Sequence, residues 1–114
     1  MTAGRQALGR FGEDRAARWY VERGYRVLER NWRCAEGELD LIVTDGTDLV
    51  VCEVKTRSTD SFGTGFEAIT PRKQQRVRRL AAQYLREGPG WAGPVRFDAV
   101  SVVAGKVEVI QGAF

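Results

Sequence analysis

Two apolar runs separated by a short polar turn limit this chain more than any other feature. They lie in GELDLIVTDGTDLVVCEVKTR, residues 37–57. The runs at 37–43 and 48–57 have the length and branched-residue content of strands, and Asp45-Gly46 marks the turn between them. The second run is the more continuously apolar and is expected near the centre of a sheet covered on both faces. Yet the first run carries Glu38 and Asp40, and the second carries Glu53 and Lys55. Charge in a covered strand is costly unless it is paired. A fold built on this hairpin must therefore place four charges at once.

Side chains alternate along a strand, so Glu38 and Asp40 share a face, as do Glu53 and Lys55. Residues directly opposed across a hairpin point to the same side. With a loop of Asp45 to Asp48, Thr44 faces Leu49, Asp40 faces Glu53 and Glu38 faces Lys55. A two-residue Asp45-Gly46 loop opposes Glu38 to Glu53 and keeps all four on that face. Only an odd-length loop or a bulge separates them. In the first register the Cβ atoms of Asp40 and Glu53 stand roughly 5 Å apart. Carboxylates that close repel each other, and a divalent cation relieves the repulsion. Mg²⁺, or Mn²⁺ in its place, takes one or two carboxylates together with waters and substrate phosphate. The candidate ligands are Asp40, Glu53 and the Val54 carbonyl, with Glu38 on the same face. Lys55 lies where it can orient an attacking water or stabilise charge on phosphoryl oxygens. The set suits metal-assisted phosphodiester hydrolysis. The chain has no histidine, which excludes Ser/His/Asp and Cys/His catalysis and speaks against a structural zinc site. Glu-x-Lys alone reads as a cross-strand salt bridge, and GELD alone as an exposed edge. Their combination in one hairpin, at matching parity, points to a site.

At 114 residues the chain is expected to form one domain, residues 1–114. Its 43% apolar and 29% charged residues are those of a soluble globular protein. No run approaches the length of a membrane span, and no apolar segment follows the basic N-terminus, so a cytoplasmic protein is expected. Cys34 and Cys52 make no disulfide framework, and Cys52 reads as a small core residue. A helix is expected from Arg5 to Arg23, ending at Gly24, with Leu8, Phe11 and Trp19 on its apolar side and Ala16 and Tyr20 broadening the stripe. YRVLERNW alternates as a strand. STDSFGTGFEAIT reads as a long loop, with Gly63 and Gly65 placed to close over substrate and Glu67 structural. Thr70 and Pro71 begin a second helix that runs to about Arg86 and buries Val77, Leu80, Ala81, Tyr84 and Leu85. VRFDAVSVV and KVEVI form a last pair of strands. The order is α-β-β-β-α-β-β, a mixed β-sheet flanked by helices in an α/β fold.

The net charge of +3 is unevenly spread. Six basic residues and no acid lie between Pro71 and Arg86, whereas acids gather between Glu36 and Asp60. A basic helix beside an acidic cluster suits a polyanion with a metal between them. Arg72, Lys73, Gln74, Arg76 and Arg79, with Arg57, are the expected phosphate-backbone contacts. Glu13 reads equally as an exposed helix acid and as a member of the site. Asp98 in RFDAV reads as a partner of Arg96, and Trp32 and Trp91 read as packing residues.

GED at residues 12–14, ERNWRC, GELDLI, EVKTR, FEAITPRKQ, RFDAV and the final GAF occur in one order along nearly the whole chain. Together they resemble the bacterial YraN-like family. That family is similar to the PD-(D/E)xK nuclease superfamily, close to archaeal-type Holliday-junction resolvases. The resemblance implies a restriction-endonuclease-like core. It matches Asp40 to the superfamily's motif aspartate, Glu53 and Lys55 to its second acid and lysine, and Glu13 to the helix-one glutamate of the resolvase-like branch. Lys73 and Gln74 match helix positions near the site or the DNA backbone. Leu39 stands where the superfamily motif has proline. The implied activity is that of a Mg²⁺-dependent endodeoxyribonuclease acting on structured or branched DNA, read by shape. A junction's near two-fold symmetry would suit a homodimer. The alternative is a non-catalytic nucleic-acid-binding protein that keeps the nuclease fold.

Overall fold

Helix α1 (Ala3–Val21) leads into strands β1 (Arg26–Cys34), β2 (Gly37–Thr44) and β3 (Leu49–Arg57), then helix α2 (Pro71–Glu87) and strands β4 (Val95–Val103) and β5 (Lys106–Ile110). This computed structural model describes residues 3–58, 69–88 and 90–114. Gly63, Gly65 and Glu67 lie outside the described residues. Element order and sheet are as expected: one mixed five-stranded sheet ordered β1-β2-β3-β4-β5, with β3 at its centre. Its strands pair antiparallel except β3 with β4, which run parallel and are joined through α2. A parallel pair requires such a crossover. Among the described residues no helix is long and apolar enough to cross a membrane.

Local chemistry sets the element ends. The Tyr25 N–H donates to the Tyr20 carbonyl at 3.0 Å, and the Gly24 N–H donates to that of Val21 at 3.1 Å. These are the paired bonds of a Schellman motif, and they require Gly24 in the left-handed region, at φ 88°. Tyr25 and Tyr20 meet edge to face at 5.1 Å, closing the same turn. At the start of α2, Thr70 Oγ1 accepts the Lys73 N–H at 3.2 Å, with Pro71 in the first helical turn. In the β2–β3 turn, Asp45 Oδ1 accepts the N–H groups of Thr47 and Asp48 at 2.9 and 2.8 Å. Those bonds hold its carboxyl below the usual range. Thr44 faces Leu49, the register expected for a four-residue loop.

The sheet buries a core on each face. Ala16, Ala17 and Tyr20 of α1 cover Leu41, Val43, Val50, Cys52, Val100 and Val102. Val77, Leu80, Ala81 and Tyr84 of α2 cover Leu39, Ile42, Leu49, Val51 and Phe97. Trp32 and Trp91 pack against this second core, and the Trp32 and Tyr84 rings meet at 5.4 Å. The tail folds back: the Ala113 N–H donates to the Phe97 carbonyl at 2.8 Å, and Phe114 stacks on Phe97.

One face differs from expectation. Phe11 is 47% exposed rather than part of the α1 stripe. The line that meets the sheet is Gly12, Ala16 and Tyr20, spaced by four. A Cβ on Gly12 would stand 1.7 Å from Thr56 Oγ1. The helix therefore lies directly on β3, which turns Phe11 about 100° away from the contact.

Candidate functional site

The site begins where the hairpin stops pairing. The β2–β3 ladder runs from Thr44↔Leu49 to Leu41↔Cys52 and ends one step before Asp40 and Glu53 would face each other. In place of a β2 carbonyl, Asp40 Oδ2 accepts the Val54 N–H at 2.9 Å. The strand also turns over here. Leu39 packs in the core under α2, whereas Leu41, two residues on, packs under α1. In a continuous pleat they would share a face. In β1, between the Arg30↔Leu41 and Trp32↔Leu39 pairs, Asn31 adopts φ 53°. Asparagine tolerates this left-handed conformation better than most residues, and a kink of this kind re-aims neighbouring side chains.

The turn-over sorts the acids. Glu13 from α1 and Glu38 and Asp40 from β2 each bring one carboxylate oxygen to within 4.8 Å of the other two. Gly12, next to Glu13 in sequence, allows this by letting α1 approach Thr56. Burial, then the Glu53 charge, push Asp40 up to about 7, against the opposing pull of the Val54 N–H. Burial likewise raises Glu13, countered by a side-chain hydrogen bond with Asn31. Glu38 also accepts Arg33 Nε at 3.0 Å.

Glu53 is 7% exposed and faces the other way, toward α2. Its Oε1 meets Lys73 Nζ at 2.8 Å, the lysine placed in the first turn by the Thr70 cap. Glu53 thus stands outside the trio while still acting on Asp40 through its charge. Lys55 is half-buried two residues on, with the same strand parity as Glu53, and makes no ion pair among the described residues.

The α2 residues divide by task. Gln74 donates to the Ile69 carbonyl at 3.2 Å and steadies the entry to the helix. Arg76 lies against the β1–β2 turn, 3.5 Å from the Glu36 carbonyl. Arg76 and Arg79 line a concavity of about 270 Å³ with Glu36 and Leu80. Arg72 and Arg79 are exposed. Arg57 is half-buried, and among the described residues its Nε has no hydrogen-bond partner.

Three contributors lie outside the charge pattern. Asn31 is signalled only by a lone asparagine in a strand whose other polar residues are charged. Gly12 is signalled by the first residue of GED. Arg33, bonded to Glu38, is signalled by nothing more than its place beside the turn.

A donor set of three hard carboxylate oxygens, one of them on an acid whose ionisation is opposed by burial, fits a divalent cation such as Mg²⁺. The model of the Uncharacterised protein family UPF0102 matches residues 12–102 of this chain. The chain belongs to that family. The YraN-like resemblance of its motifs is the same assignment. The UPF0102 match begins at Gly12 and spans the trio, Glu53, Lys55 and Lys73. A UPF0102 protein of Frankia alni is 52% identical over 96% of both chains. One of Frankia casuarinae is 53% identical over 96% of this chain and 98% of its own. One of Moorella thermoacetica is 48% identical over the whole of both.

Proposed function

We propose that this UPF0102 protein is a metal-dependent endonuclease-like protein that hydrolyses phosphodiesters in structured or branched DNA. The observation that carries the reading is the carboxylate trio of Glu13, Glu38 and Asp40, closed to within 4.8 Å at the point where the central hairpin splays apart. Like charges gathered this closely favour a bound cation. Glu13, Glu38 and Asp40 would hold Mg²⁺ or Mn²⁺, with Glu53 tuning Asp40 from behind. Such a cation supplies Lewis acidity to a phosphodiester oxygen. Lys55, two residues beyond Glu53 on β3, supplies a fixed positive charge for the phosphoryl oxygens. Arg72, Arg76 and Arg79 offer the backbone contacts, which carry no base readout and suit recognition by shape. The Lys73–Glu53 ion pair supports the alternative of a non-catalytic nucleic-acid-binding protein, since an ammonium already compensates the second acid.

One experiment separates the two. Purified protein is incubated with labelled four-way junctions, flaps, single strands and RNA in Mg²⁺, Mn²⁺ or EDTA, and again as Asp40→Ala and Lys55→Ala. Metal-dependent DNA cleavage that both substitutions abolish is the expected result. Binding without cleavage, unaltered by either substitution, sinks the enzyme in favour of the binding protein.

A further inference from the structure

The expected nucleic-acid contacts lie on α2 and at the end of β3, but the carboxylate trio also borders a different concavity. This groove of about 380 Å³ is lined by Gln6, Gly9 and Arg10 of α1 and by Asn31 and Arg33 of β1. Glu13 and Glu38 of the trio complete its wall. Its volume falls within the roughly 300–1,000 Å³ of ligand sites.

Three observations distinguish it from a passive cleft. First, two guanidinium groups border it with donors to offer. Arg33 is held at the trio by its Nε bond to Glu38, and among the described residues that is its only side-chain bond. Arg10 is exposed and makes no ion pair among the described residues. Guanidinium forks match phosphate oxygens in pairs, and a tethered fork is already oriented. Second, Asn31 holds a left-handed backbone in the middle of a strand, a conformation kept against its cost, and it shares the groove wall with Glu13. Third, Gly9 occupies the interior of α1, where glycine weakens a helix. Gly12 is explained by its contact with Thr56. Gly9 is not: a Cβ there would meet nothing within 4 Å. What its missing side chain provides is open space in the groove.

We infer that the α1–β1 groove is a nucleic-acid subsite that takes the phosphodiester next to the one facing the trio, gripped by Arg10 and Arg33 with Gly9 leaving room for the strand. The inference rests on the nuclease reading above and extends it to a second side of the site. A strand crossing the trio is then held by α2 on one side and by α1 and β1 on the other.

The test uses Gly9→Leu and Arg10→Ala, neither of which alters a carboxylate of the trio. Affinity for a labelled four-way junction and for a single strand is measured against salt concentration, in Ca²⁺ and in EDTA, alongside thermal unfolding. Each variant is expected to weaken binding by about fivefold or more, and Arg10→Ala to lower the salt slope by about 1. Gly9→Leu is expected to melt at or above the wild-type temperature, since leucine is the better helix former, so its loss of affinity reports a filled groove and not unfolding. Affinities within about twofold of wild type in both variants, with the salt slope of Arg10→Ala equal to that of wild type, overturn the subsite. Wild-type protein that binds but does not cut defeats the nuclease reading while the groove stands on its binding data. Cleavage and binding indifferent to both variants defeat the groove alone. Wild-type protein that binds none of these nucleic acids defeats both.

Discussion

Asp40 is the residue on which the two halves of the site turn. Its carboxylate accepts the Val54 N–H from β3, joins Glu13 and Glu38 on the α1 side and feels the charge of Glu53 on the α2 side. The hairpin register was legible in the sequence, because turn length and apolar alternation specify it. The facing of the acids was not. Parity assumes an unbroken pleat, and the strand turns over between Leu39 and Leu41, opposite an asparagine at φ 53°. No charge pattern reveals a single backbone dihedral. The strained ionisation of Asp40 has a measurable consequence for the metal-free protein. Its folded-state pKa of about 7 lies above the unfolded value near 3.8, so the folded state holds a proton that the unfolded chain has released. That contribution is fully present below about pH 4 and is lost as pH rises to about 7. Urea unfolding in EDTA should show stability falling across that window by about 2–4 kcal/mol. Asp40→Asn keeps an acceptor for the Val54 N–H but cannot ionise, so its stability should stay flat from pH 4 to 8 apart from other groups. Added Mg²⁺ should restore the wild type at pH 8 and leave the variant unchanged. An identical pH slope in both proteins would remove Asp40 as the source.

At the scale of elements, both helices are placed by their first residues in contact with the sheet. The Thr70 cap and Pro71 were legible as a helix start, and the same cap delivers Lys73 to Glu53. That pairing was hidden, since residues 53 and 73 are joined only by tertiary structure. Helix α1 is legible in its ending at Gly24 and in the burial of Ala16 and Tyr20 with Trp19 packed beside them, but not in the place of Phe11, because the closest contact follows the small residues. Large Phe11 is turned outward, and the contact line is Gly12, Ala16 and Tyr20. Small residues let two backbones come close, and only a clash shows how close. Gly12→Ala tests this directly. Alanine favours the helix by about 1 kcal/mol, yet its methyl would overlap the Thr56 side chain, with the nearest atom at 1.7 Å. Overpacking at such a contact costs about 1–3 kcal/mol or more, so the net change in urea unfolding should be a loss. Adding Thr56→Gly should recover a large part of that loss by removing the atoms in the way. Displacing α1 also moves Glu13 from Glu38 and Asp40, so any nuclease activity should fall by more than the folded fraction does. A stabilised Gly12→Ala protein would mean that α1 rides farther from β3.

For the molecule as a whole, the two cores share a five-stranded sheet but need something to fix α1, the turns and the tail against it. Asp98 does this from within. It is completely buried in β4 and accepts four hydrogen bonds: from Tyr20 Oη at 2.6 Å, Arg96 Nε at 2.9 Å, Arg96 Nη2 at 3.1 Å and the Gly112 N–H at 3.0 Å. Arg96 continues the network to the Tyr25 hydroxyl at 2.9 Å and to Asp48 in the β2–β3 turn at 3.4 Å. Helix α1, the turn after it, the central hairpin, β4 and the tail thus meet at one carboxylate and its arginine. Its partner Arg96 was legible two residues away in RFDAV, but the other partners were not, since they lie 78 and 14 residues away in sequence. Burial and hydrogen bonding raise the Tyr20 hydroxyl, and burial raises the Cys52 thiol beside it, so both stay protonated and this part of the molecule holds structure without offering a nucleophile. Asp98→Ala leaves Arg96 and Tyr20 without their shared acceptor and should cost about 3–5 kcal/mol in urea unfolding. Tyr20→Phe removes one bond to a charged group and should cost about 1–3 kcal/mol. Combined, the two should cost less than their sum, because Asp98→Ala has already removed the acceptor that Tyr20 would lose. If Asp98→Ala instead left unfolding unchanged while altering metal or nucleic-acid binding, Asp98 would belong with the acids of the site and not with the frame that holds them.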